Sequence, residues 1–117
     1  HEAPASFSYS EKEKVHQPLA AGMVITNEPG LYLAGQYGIR IENEMVIRKG
    51  IKNEYGQFLY FEPITYAPID LDAVEPDLMS TEDRKLLNDY HRRVREQIAP
   101  FLPREEQEWL SRYTRAI

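Results

Sequence analysis

Three features of the sequence predict an α+β chain, with antiparallel strands first and a helical hairpin last. Residues 38–48 alternate with period two, and the neighbouring apolar runs are short and bounded by glycine and proline. Beyond Ile69 the apolar spacing changes to that of a helix. With 117 residues and 42% apolar content, the chain has enough material for one hydrophobic core.

The first strand is expected in "AAGMVITNEPG", where Met23, Val24 and Ile25 form a run too short for a helix. Pro29 pushes Glu28 towards an extended backbone, so Glu28 closes this strand. In "YGIRIENEMVIRKG", Ile39, Ile41 and Met45 share one face with Asn43, while Arg40, Glu42 and Glu44 share the other. Glu42 therefore falls inside the next strand. "GQFLYFEPITYAPI" is a third extended run, rich in aromatic and branched residues, whose prolines confine parts of it to an edge. Together these runs predict an antiparallel meander.

After Ile69 a polar, proline-punctuated connection leads to a helix start, with Ser80 and Asp83 at the spacing of a capping box. Leu87, Tyr90, His91, Val94 and Ile98 make one apolar stripe that ends before Pro100. Pro103 is suited to the first turn of a second helix, with Glu105 and Glu106 near its positive end and Trp109, Leu110 and Tyr113 on one side. This divides the chain into residues 1–69, which carry the strands, and residues 70–117, a linker and helical tail.

The formal charge of −5, from 14 basic and 19 acidic residues, excludes the basic footprint of a nucleic-acid binder. A cationic or small neutral ligand fits that balance better. No cysteine is present, so a metal would be held by oxygen and imidazole. No apolar run is long enough to cross a bilayer, and the first residues lack the pattern of a secretion signal, which makes a cytoplasmic location the default. The chain starts at His1 without an initiator methionine and so reads as a piece or product of a longer protein.

Any one glutamate is ordinarily a surface residue. Glu28 and Glu42 form an exceptional pair, because adjacent antiparallel strands bring such side chains within about 5 Å of each other. Two carboxylates at that distance repel unless a proton or cation lies between them, and a hard divalent ion resolves the conflict.

The segments "HEAP", "GMVITNEPGLY", "GIRIENEMVI" and "FEPITYAPID", in that order, followed by "WLSRYTRAI", resemble the C-terminal part of the aminopeptidase P (Xaa-Pro aminopeptidase) group of pita-bread metallopeptidases. The resemblance implies that the strands form the second half of a pita-bread fold. The closing helices look like the tail of the larger, three-domain members rather than of prolidases. It further implies a dinuclear manganese site held by two aspartates, one histidine and two glutamates. Glu28 matches a metal ligand that also shuttles a proton, and Glu42 matches the carboxylate bridging both ions. His1 matches a histidine that contacts the substrate without ligating metal. Arg40 would orient the carboxylates. Ala3 departs from the family, which has glycine there.

The implied reaction is metal-assisted hydrolysis of the bond before proline, on peptides with proline in second position. The two ions would activate a water and polarise the scissile carbonyl. Only two of the five ligands fall within the chain, and the rest are expected upstream of His1. His16 and His91 match no missing ligand; His91 reads as a packed helix residue, and Asp70 and Asp72 as turn acids. The implied partners are the rest of the catalytic domain and a second copy in a homodimer, and the chain alone is expected to be inactive. A different reading makes it a non-catalytic interaction or dimerisation module, but such a module has no need of both glutamates. Prolidase and methionine aminopeptidase, related hydrolases, are disfavoured by the helical tail.

Overall fold

In the computed structural model, residues 18–117 are described. Two compact units divide the chain between Thr65 and Tyr66. Among the described residues the first unit contains β1 (Val24–Asn27), β2 (Gly30–Leu33), β3 (Tyr37–Arg40), β4 (Asn43–Asn53) and β5 (Gly56–Pro63). Both β1 and β5 pair antiparallel with β4, giving the order β1-β4-β5, while β2 and β3 form a separate two-stranded ladder.

This differs in two ways from the meander that the sequence predicts. The strand expected over 38–48 breaks at Ile41 and Glu42, so Glu42 lies between β3 and β4 rather than inside a strand. Pro29 supplies the physical reason. Ile41 N–H donates to the Pro29 carbonyl at 3.2 Å, but proline has no N–H to return, and the ladder is interrupted there. The strand after β1 in sequence is also not its neighbour: the chain runs out through β2, turns, comes back through β3, and pairs with β1 only at β4.

Alternation predicts Val46 on the charged face, yet Met45, Val46 and Ile47 are all buried. They lie on the central strand of the order β1-β4-β5. The β1–β4 pairing continues past β1, where Gly22 N–H donates to the Ile47 carbonyl and Ile47 N–H to the Met23 carbonyl, both at 2.9 Å.

In the second unit, Asp70 accepts a hydrogen bond from Asp72 N–H at 3.0 Å and opens a 3-10 turn over Leu71–Ala73, in keeping with its reading as a turn acid. The first helix, α1 (Thr81–Ile98), is capped by Ser80. Its hydroxyl accepts from Asp83 N–H at 3.1 Å and donates to the Asp83 carboxylate at 2.6 Å. Aspartate is one methylene shorter than glutamate and here accepts a hydrogen bond from the Ser80 hydroxyl.

The second helix, α2 (Arg104–Tyr113), starts one residue later than expected, with Pro103 as its cap at ψ 161°. The chain beyond α2 runs back along α1: Arg95 Nη1 donates to the Thr114 carbonyl at 3.4 Å, and Asn88 exchanges two 3.0 Å hydrogen bonds with the Ile117 backbone. The predicted helical hairpin is thus present, with His91, Val94 and Leu110 fully buried in it. Trp109 stays half exposed and stacks on Tyr113 with ring centres 4.8 Å apart.

Candidate metal centre

The site lies where the two ladders of the first unit meet. Pairing runs from Val24↔Val46 to Asn27↔Asn43 in one ladder and resumes from Gly30↔Arg40 to Leu33↔Tyr37 in the other. No residue is gained or lost between them, so the shared register sets Glu28 opposite Glu42 and Pro29 opposite Ile41. The facing geometry expected of two adjacent strands is therefore met at a gap in the pairing, where two backbones stay in register without a full set of ladder hydrogen bonds.

One face of this ribbon carries Thr26, Glu28, Gly30 and Tyr32 from one arm, and Gly38, Arg40, Glu42 and Glu44 from the other. Glu28 Oε1 accepts from the Thr26 hydroxyl at 2.9 Å, and Glu28 Oε2 lies 3.4 Å from Arg40 Nη1. Arg40 Nε donates to the Tyr32 hydroxyl at 2.9 Å, and its guanidinium lies 5.9 Å from the centre of that ring. The hydrogen bond to Tyr32 is the main cause that raises the Arg40 pKa above its ordinary value, and the charges of Glu28 and Glu42 act in the same direction.

Tyr32 reaches Arg40 because two glycines make room for it. A β-carbon at position 30 would lie 2.5 Å from the Tyr32 hydroxyl oxygen, and one at position 38 would lie 2.7 Å from its Cδ1. Only a residue without a side chain allows the ring to lie so close to the ladder.

Of the residues singled out from the sequence, the structure brings Glu28, Glu42 and Arg40 together on this face. The Glu28 side chain is 22% exposed, whereas Glu42 is exposed. His1, Ala3 and His16 lie outside the described residues. His91 is engaged elsewhere: its Nε2 accepts from Ile69 N–H at 3.0 Å. Glu62, in the third extended run, is paired with Arg48.

Thr26 and Tyr32 escaped the sequence reading. Both carried a signal, since each stands an even number of residues from Glu28 and so shares its face.

Two facing carboxylates are hard oxygen donors, and that donor chemistry fits a divalent cation of the manganese or magnesium type. They form part of a ligand set only. Among the described residues no group of three or more His, Asp or Glu side chains is arranged to hold a metal ion.

Comparison with known proteins adds to this geometry. Residues 57–117 match the family described as the C-terminal region of peptidase_M24, and residues 1–49 match metallopeptidase family M24. Aminopeptidase P1 of Arabidopsis thaliana is 35% identical over 120 residues, covering 100% of this chain and 18% of its own length. The crystal structure of X-prolyl aminopeptidase from Caenorhabditis elegans, described as a cytosolic enzyme with a di-nuclear active site, superposes with a TM-score of 0.74 at 34% identity, covering 85% of this chain and 17% of that one. The chain thus spans less than one fifth of the length of these relatives.

Proposed function

The chain belongs to metallopeptidase family M24, and from that premise we propose that it is part of an Xaa-Pro aminopeptidase, to which it contributes two carboxylate ligands of a dinuclear centre. The observation that carries this reading is the register that sets Glu28 opposite Glu42, with Arg40 on the same face. The relatives' names and the di-nuclear site of the C. elegans enzyme support it.

In this reading Glu28 and Glu42 would help to hold two divalent ions, with manganese suited to a ligand set rich in carboxylate oxygens. Once bound, the ions supply a nucleophile at neutral pH and polarise the scissile carbonyl. Glu28 would take the proton given up by the attacking water and pass it to the leaving proline nitrogen. Arg40, held on its other side by Tyr32, helps to orient the Glu28 carboxylate and keeps a positive charge beside it. His1 contacts the substrate. The substrates are peptides with proline in second position.

Residues 1–69 belong to the catalytic domain and residues 70–117 form its linker and tail. The remaining ligands come from the rest of that domain, and without them this chain has no peptidase activity of its own. A cytoplasmic location accords with the relative described as cytosolic.

The test is Glu42→Gln in the full-length protein. Manganese binding by calorimetry and hydrolysis of an Xaa-Pro peptide are expected to disappear together, while His1→Ala mainly lowers turnover. A Glu42→Gln variant that keeps its activity refutes the bridging role.

A further inference from the structure

We infer that Thr26 is a positioning residue for the Glu28 carboxylate, an inference that rests on the reading of Glu28 as a metal ligand. The Thr26 hydroxyl donates to Glu28 Oε1 at 2.9 Å, from a position two residues earlier on the same face of the ribbon. Thr26 is half-buried, and its backbone is held in the β1–β4 ladder opposite Glu44. As a β-branched residue on a strand it has little rotamer freedom, so the hydroxyl is offered from a fixed point.

Arg40 also contacts Glu28, and that contact differs in kind. Its side chain is 45% exposed, and the ion pair is longer, at 3.4 Å. A long, solvated side chain at that distance sets a direction loosely. Arginine also brings a positive charge, which competes with the metal ions for the carboxylate. A hydroxyl holds one oxygen in place without cancelling the negative charge that the cations need. Thr26 is thus suited to fix the carboxylate plane, while Arg40 balances its charge.

Hydrogen-bond partners of metal ligands typically alter metal affinity by about 10- to 100-fold when removed. The test uses variants of the full-length protein, stripped of metal and titrated with Mn²⁺ by calorimetry. Thr26→Val keeps the shape and strand preference of the residue and loses the donor. It is expected to weaken Mn²⁺ binding by about 10-fold or more, and to lower kcat with little change in KM. Thr26→Ser restores the donor, and with it both quantities. Should the valine variant not fold, Thr26→Ala is expected to show the same loss.

Wild-type affinity and kcat in Thr26→Val, with binding lost in Glu28→Gln, overturn the role of Thr26 and leave the metal site standing. Equal losses in the serine and valine variants also overturn it, because packing rather than the hydroxyl would then be responsible. Wild-type Mn²⁺ binding in Glu28→Gln overturns the site on which the inference rests.

Discussion

Burial holds the His91 imidazole below its ordinary pKa, and the Arg95 guanidinium pushes the same way. Nε2 accepts from Ile69 N–H, so the ring proton sits on Nδ1, which has no hydrogen-bond partner among the described residues. Protonating the ring would break the bond to Ile69 and place a charge in a fully buried position. The unfolded chain has an ordinary histidine pKa of about 6.5, above the folded value, so on acidification it takes up the proton first. The stability due to neutral His91 is therefore fully present above about pH 6.5 and is lost as pH falls towards the folded value. The melting temperature is expected to drop between pH 7 and pH 5, and less steeply in His91→Gln, whose side-chain carbonyl can accept the Ile69 bond without titrating. Equal slopes in circular dichroism melts would show that His91 is not responsible. The sequence placed His91 on an apolar helix face, but its bond to a backbone group 22 residues away depends on how the chain folds back.

Elements repeat the same division. The start of α1 was legible in Ser80 and Asp83 because a cap is a local device, settled within one turn of helix. Ser80→Ala is expected to cost about 1 kcal/mol of stability in urea denaturation, and Ser80→Asn to keep most of it. An alanine variant as stable as the wild type would mean that Ser80 is no cap in solution. The gap between β3 and β4 was not legible from Pro29 alone. Its effect on its own strand is local, whereas its effect on Glu42 depends on the hydrogen bond that Ile41 fails to receive across the ladder. Thr26 and Tyr32 lay on the right face of the pattern, but face alone does not say which side chains reach each other. The burial of Val46 likewise goes beyond what alternation within one strand encodes.

For the molecule taken by itself, the β2–β3 ladder raises a question of solubility. Leu31, Leu33, Tyr37, Ile39 and Ile41 alternate onto one face of it, and all are exposed. An apolar face of this kind marks an interaction surface, which in the proposed enzyme the rest of the catalytic domain would cover. The 117-residue chain alone is expected to self-associate through it. Light scattering should give a mass that rises with concentration, and a constant monomer mass at high concentration would refute this. The expected homodimer of the parent enzyme is a separate proposal, which this measurement does not address.

The sequence by itself determined the family, the α+β succession of strands and helices, and the three residues that share the candidate site. Each of these depends on periodicity, punctuation or motif, all of which are written along the chain. Only the tertiary structure decided that Glu28 and Glu42 meet at a break in the pairing, that Thr26 and the Tyr32–Arg40 pair hold Glu28 from two sides, and that His91 serves Ile69. These depend on register and on contacts between distant residues, which a one-dimensional pattern constrains but does not specify.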